Sequence, residues 1–557
     1  VQISDLPSID NEKQRRYAPI ALGVLCGVVF FYGIGRLPFI GPDEPRYAQV
    51  AREMFDAGDW VTPRLGGIKW FEKPALTYWL SCAGFALFGQ TELGARFGVA
   101  IVAALGVFLL FIFGQQQRSA RFGYLSAAAL VTCGLWPGFA RGATFDLPLA
   151  VAMELALLSF FVWESREEPR GRNRLWFVFA FALGLAVLAK GLVGIVLPLG
   201  IVGPYLLLTG RWRAVLNPRL ILLGALIFLS TAAIWYAPVI ARNGREFIDE
   251  FFIGHHFERY LTNKYRHPQP FYFFPLVALA GSFPWSFFFL ANLWRSMKGW
   301  RGLLDDRLRL FLLLWLIAPV VFFSFSGSKL PGYILPVFPA IALMAGEELE
   351  RWWTKHLPRR GLVAATALLI ALAGLGTVFV GRRDLGAAAR DVWMMAAVAV
   401  VVAAVYLALA FVWTARIATL FLPFGLCVVV IAAAHLLFPA LGNRESIRPL
   451  ALLATEMARP GERLVFFVNH DHGINFYATG LPLRDTKSEP VTLVSVDEIA
   501  LLAEASRSRG LLVASPKRWA ADVIESEKIR TERLGEQNFH ARCSPNCDWV
   551  LLRAQPK

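Results

Sequence analysis

Long apolar stretches separated by short polar and basic segments set the pattern of this chain up to about residue 438. Runs of the roughly 17–25 residues that a helix needs to cross a bilayer fall near 18–36, 93–114, 122–140, 145–163, 174–190, 192–209, 219–240, 271–293, 310–326, 332–347, 361–380, 392–413 and 417–438. One further patch, 75–89, is shorter and carries Thr77 and Ser81. From about residue 439 the pattern changes. Short runs at Leu464–Val468, Gly510–Ala514 and Trp549–Leu552 predict strands, and Val496–Ala505 predicts a helix.

Basic clusters decide which way the apolar runs cross. They lie at Lys13–Arg16, Arg118–Arg121, Arg166–Arg174, Arg211–Arg219, Arg295–Arg309, Arg351–Arg360 and Arg416. If residues 75–89 stay on one side, all of these clusters face the cytoplasm, as the positive-inside rule requires. If that patch crosses, every cluster after the first flips. The economical reading is about thirteen transmembrane helices with the N-terminus inside, and 75–89 as an interfacial or re-entrant helix. The fold class expected is an α-helical polytopic membrane protein. Its membrane domain would span 1–438, with outer loops at 37–92 and 241–270. A small extracytoplasmic α/β domain would occupy 439–557.

Composition supports lipid as the main solvent. The 557 residues are 56% hydrophobic and only 17% charged, against about 25% charged in soluble domains. The formal charge of +15 sits in short clusters between apolar runs. It reads as an orientation signal with some attraction for lipid head groups, not as a nucleic-acid surface. The first apolar run lacks a small-residue cleavage site and reads as an anchor. Cys26, Cys82, Cys133 and Cys427 lie in apolar segments. Cys543 and Cys547 flank Ser-Pro-Asn in a polar tail, where a disulfide would form only in an oxidising compartment.

The candidate chemistry lies in the outer loops. The first opens with Gly41-Pro42-Asp43-Glu44-Pro45-Arg46-Tyr47-Ala48, an acidic pair with an arginine between prolines. Asp43 and Glu44 also read as caps of the following helix. Trp70-Phe71-Glu72-Lys73-Pro74 precedes the short patch. Asp146 begins the fourth run, where a carboxylate at the edge of the hydrocarbon is a functional candidate by default. Its other reading is a helix cap. Lys190 ends the fifth run and either serves the site or snorkels to the interface. Ser326-Gly327-Ser328-Lys329-Leu330-Pro331-Gly332-Tyr333 offers a cation and a phenol to a phosphate. The 241–270 loop holds His255, His256, Arg259, Lys264, Arg266 and His267. His255 or His256 with Glu72 would make a metal set, although no spacing motif supports one and solvated or phosphate-facing histidines are the favoured reading. Carboxylates, cations and aromatics at head-group depth suit a lipid-linked anionic substrate.

The motifs around Asp43, Glu72-Lys73, Phe145-Asp146, Lys190-Gly191 and Ser328–Tyr333 resemble those of the 4-amino-4-deoxy-L-arabinose lipid A transferases, membrane glycosyltransferases of the GT-C fold. The resemblance runs through the whole membrane domain and the tail. It implies an enzyme of the bacterial inner membrane, with its active site and C-terminal domain in the periplasm. The donor would be aminoarabinose on undecaprenyl phosphate and the acceptor a phosphate of lipid A. The product would be a more cationic lipid A that resists polymyxin-type peptides. By position, Asp43 would be the catalytic carboxylate, with Glu44 beside it and Asp146 as the second acid near the sugar. Lys73, Lys329 and Tyr333 would meet the donor phosphate, aided by Arg46, Lys190 and Arg259. Glu72 with His255 or His256 would hold a divalent ion such as zinc, which the resemblance does not clearly require.

Two other readings fit parts of the pattern. Another polyprenyl-phosphate-sugar transferase, such as a protein O-mannosyltransferase, would differ in its acceptor. A lipid-linked sugar transporter would place charges near the bilayer midplane and show repeat symmetry. The informative charges here gather at one face, and no nucleotide-phosphate fingerprint is present.

Overall fold

The computed structural model describes residues 12–166, 171–251, 269–299, 302–355, 360–383, 389–413, 415–468, 471, 473–485, 491–506, 510–537 and 549–556. Helices overlie the apolar runs, because a chain in hydrocarbon must satisfy its own backbone polar groups. Among the described residues, eight helices are long and apolar enough to cross a membrane. Four shorter apolar ones are Arg16–Phe31, Leu76–Phe88, Val193–Leu208 and Val363–Phe379. Two of the runs are interrupted. The third splits at Cys133-Gly134 into Ala120–Thr132 and Leu135–Ala140. The eighth splits near Pro284 into Phe273–Gly281 and Ser286–Lys298.

Burial separates protein-facing from lipid-facing helices. The stretch Pro331–Thr354 is almost wholly enclosed, and Trp136, Phe160, Phe311 and Leu343 pack in the same core. Pro218–Ile248 instead exposes Leu222, Leu229 and Ile234, as a helix bathed in lipid does. That helix breaks at Gly244, and its far end leans on the first outer loop. There Arg242 pairs with Asp59 at 3.0 Å and Lys69 with Glu246 at 2.6 Å.

The short helix Leu76–Phe88 packs flat against Glu92–Gln117. The contact needs glycine. A Cβ on Gly84 would lie 1.9 Å from the Gly94 carbonyl oxygen, and one on Gly98 would lie 2.5 Å from that of Leu80. Close backbone approach through small residues is the usual packing device where lipid supplies no hydrophobic drive.

A five-stranded mixed sheet closes the chain. Its order is Thr492–Leu493, Arg463–Phe467, Leu511–Pro516, Trp549–Pro556, Ile529–Gln537. The first three strands are parallel and the last two antiparallel to their neighbours. The short helix Ile474–Tyr477 then docks onto the helix Asp43–Ala57 of the first outer loop. Arg52, buried between them, donates to the carbonyls of Asn475 and Phe476 (2.8 Å each) and to Thr479 Oγ1 (2.7 Å). Tyr477 accepts from the Phe39 amide and donates to Glu92 at 2.9 Å. Burial and the Glu92 carboxylate push its phenol well above the ordinary range. The sheet thus braces the loop that carries Asp43.

Candidate active site

A cavity of about 710 Å³ opens between the first outer loop, the Ala140–Asp146 segment and the Ser326–Tyr333 loop. Aromatic contacts fix these pieces together. The Phe145 ring meets Tyr47 at 4.7 Å and Tyr78 at 5.1 Å, both edge to face. Asp146, the next residue, therefore enters the cavity from a rigid corner.

The structure gathers Asp43, Glu44, Glu72, Lys73, Asp146, Lys190 and Tyr333 around this one space. Asp43 begins its helix with more than half of its side chain exposed, at 58%, and its carboxylate lies 3.7 Å from Arg46. Arg46 stands behind the wall, 3.8 Å from Glu72 and over the Trp70 ring. Lys73 lies 3.0 Å from the other Glu72 oxygen. Across the cavity Lys190 pairs with Asp146, and its ammonium sits 4.8 Å from the centre of the Tyr333 ring. Gly332 lets this happen: a Cβ there would come 2.7 Å from the Asp146 carboxyl carbon.

Two expectations change, and an alternative for Lys190 is set aside. Glu44 does not face substrate space as a free acid. Arg96 grips both of its oxygens, at 2.6 and 2.8 Å, and the Ala143 amide donates to it at 3.0 Å. Glu44 is therefore a positioning residue that ties the first outer loop to the segment before Asp146. Lys329 turns away from the cavity. It is buried and donates to the Ser326 carbonyl at 2.8 Å, which folds its own loop. Lys190 does not snorkel alone, since Asp146 holds it. His255, His256, Arg259, Lys264, Arg266, His267, Cys543 and Cys547 lie outside the described residues.

Two arginines have a role that the sequence does not assign to them. Arg96 lies inside the second apolar run and is 1% exposed. Besides Glu44 it binds the carbonyls of Ile34, Leu37 and Pro38. A lone arginine within a membrane run is itself a signal, because such a charge needs dedicated partners. Arg141 donates to the Val29 and Tyr32 carbonyls at 2.9 Å each. Burial, with Arg96 nearby, lowers it to about 10, so it remains charged at neutral pH.

Four acidic and four basic side chains line the cavity, and Arg46 adds a cation behind it. The balance favours an anionic ligand. Glu72 lies between Arg46 and Lys73, and the histidines expected to join it in a metal set lie outside the described residues.

Fold and site define a multi-pass membrane protein of the GT-C class. Over 96% of this chain and 97% of the other, the fold matches ArnT from Cupriavidus metallidurans bound to undecaprenyl phosphate, with a TM-score of 0.75 and 25% identity. In sequence the chain is 32% identical over 355 residues to the undecaprenyl phosphate-alpha-4-amino-4-deoxy-L-arabinose arabinosyl transferase of Pseudomonas aeruginosa. It is 28% identical over 341 residues to that of Edwardsiella ictaluri. Each alignment covers 60% of this chain and 60% of the relative. Residues 72–236 match the model of the dolichyl-phosphate-mannose-protein mannosyltransferase family. The chain is similar to these arabinosyl transferases over about 60% of their length.

Proposed function

We propose that this protein transfers 4-amino-4-deoxy-L-arabinose from undecaprenyl phosphate to a phosphate of lipid A. The reaction would occur on the periplasmic face of the bacterial inner membrane. In this reading about thirteen helices cross, the N-terminus is cytoplasmic, and the C-terminal domain of 439–557 is periplasmic. The observation that carries it is the shared cavity, which sets the exposed Asp43 carboxylate opposite the Lys190–Asp146 pair with Lys73 alongside. Similarity to a protein bound to undecaprenyl phosphate supports the donor.

The chemistry follows from charge. The bond from the sugar anomeric carbon to the lipid phosphate breaks, and one to the acceptor phosphate oxygen forms. The leaving phosphate takes the electron pair and needs positive charge in place, which Lys73 and Lys190 supply, with Tyr333 as a hydroxyl donor. The sugar develops oxocarbenium character, as in glycoside hydrolysis, and a carboxylate stabilises it. A phosphate monoester, with its second pKa of about 6, is largely ionised at neutral pH. No strong base is required, so Asp43 orients the acceptor or holds the sugar ammonium. Asp146, tied to Lys190, sets that lysine's position.

The decisive experiment is the mass of lipid A from cells with and without this protein. An added aminopentose that depends on the chain supports the proposal; its absence removes it. The match of residues 72–236 to the mannosyltransferase family favours one second reading, a hydroxyl acceptor. Asp43 would then have to act as a base.

A further inference from the structure

Two cavities lie back to back at the end of the molecule that carries the candidate active site. The segments 35–38 and 438–439 form the partition. Leu37 and Phe438 face the cavity described above, whereas Arg36, Pro38 and Pro439 face a second one of about 510 Å³. Its remaining walls include His435, Arg448 and Leu452. It thus sits between the end of the first helix, the end of the helix Ala415–Leu436 and the underside of the C-terminal domain.

The lining is basic and apolar. Three of the residues facing this space are basic and none is acidic. Arg36 donates to the His435 ring, at 3.0 Å from Nδ1, and the Tyr32 hydroxyl lies 2.7 Å from Nε2. An imidazole orients a guanidinium without neutralising it. Among the described residues no carboxylate pairs with Arg36. Arg448, at the opposite wall, is held by Glu92 at 3.1 Å and lies over the Tyr477 ring. Prolines and the half-exposed Leu452 complete the rim. A fixed, uncompensated guanidinium beside apolar surface at the ends of membrane helices matches a lipid head-group phosphate, whose acyl chains would follow the apolar side.

We propose that this second cavity binds the phosphate of an anionic lipid head group, with Arg36 as its principal contact. The phosphate has two sources. One is the second phosphate of the acceptor lipid, whose first phosphate would lie across the partition near Asp43; that arm rests on the function proposed above. The other is a bulk phospholipid.

Two measurements on the full-length protein separate them. The first is steady-state transfer to acceptors carrying one or two phosphates. The second is native mass spectrometry of protein with added phosphatidylglycerol. Arg36→Gln removes the contact, and Leu452→Glu places a carboxylate in the cavity while leaving the basic residues in place. Both variants are first checked for wild-type thermal unfolding. If the acceptor's second phosphate binds here, both raise the KM for the two-phosphate acceptor about tenfold, the value of one charged contact. The one-phosphate acceptor, the donor KM and kcat stay unchanged, and Arg36→Lys restores most of the difference. If a bulk phospholipid binds here, retained phosphatidylglycerol falls about tenfold with no change in acceptor KM. Either result supports the site. Unchanged KM and unchanged lipid retention in both folded variants overturn it and leave Arg36 as a helix-end contact only. Failure of wild-type protein to transfer to any acceptor would remove the proposed function, and the lipid-retention measurement would still decide the cavity.

Discussion

Arg96 and Glu44 meet through two hydrogen bonds, at 2.6 and 2.8 Å, across 52 positions of sequence. The pair is shielded from water, so each partner is costly without the other. Glu44 adjoins Asp43, and its third bond reaches the Ala143 amide, three residues before Asp146. One ion pair therefore sets the spacing of two acids on different loops.

This coupling is measurable. Arg96→Met and Glu44→Gln should each lower stability by roughly 3 kcal/mol, because each strands a buried partner. The double variant should lose clearly less than the sum of the two. Thermal or denaturant unfolding of the four proteins gives the coupling energy. Additive losses would mean that the two side chains do not act as a unit.

Asp43 differs from its neighbour. Its carboxylate is largely exposed and its ion pair with Arg46 is loose, at 3.7 Å. Asp43→Asn should leave thermal stability near wild type while reducing kcat by about 100-fold or more, the scale of removing a charged group placed at the reacting centre. Transfer kinetics together with thermal unfolding test this. Normal kcat in the variant would assign the sugar-facing role to another residue.

How much of this was legible in the chain depends on distance along it. The apolar runs carry their own helices, and the strands at 463–467, 511–516 and 549–556 follow from short runs of branched and aromatic residues. Asp43, Asp146 and Lys73 stood out because charge at a membrane mouth is expensive. Partnerships were not legible. Nothing local says that Arg96 belongs to Glu44, or that Arg52 reaches Phe476, 424 positions away. These contacts depend on how helices assemble, and one residue's type does not reveal which surface it will meet.

The Arg52 contact yields a further prediction. Its guanidinium is buried against the carbonyls of Asn475 and Phe476, and burial lowers its pKa despite Glu53 and Asp56 nearby. Arg52→Ala strands those carbonyls and should loosen the C-terminal sheet from the first outer loop, at a cost of roughly 2–3 kcal/mol. Limited proteolysis should then cut near residues 473–485 faster than in wild type. Because Asp43 shares the Arg52 helix, acceptor KM should rise as well. Unchanged proteolysis and unchanged KM would show that the sheet does not brace this helix.

Asp471 provides a pH test. It precedes the docking helix, and its Oδ1 accepts the Gly473 amide at 2.7 Å. Burial raises its pKa from 3.8 to about 6, with the Gly473 bond opposing. In the unfolded chain this carboxyl ionises near 3.8, whereas the folded protein keeps its proton until about pH 6. Between those values the folded state binds more protons, so this group's contribution to stability falls as pH rises and levels off above 6. Asp471→Asn keeps an acceptor for Gly473 and removes the titration. The variant's unfolding free energy relative to wild type should therefore climb between pH 4 and pH 6 and stay flat above, by at most roughly 2–3 kcal/mol before solvent screening reduces it. Unfolding of full-length protein in a pH series measures this directly. A difference that stays constant across the series, or shrinks as pH rises, would show that Asp471 is already ionised in the folded domain at low pH.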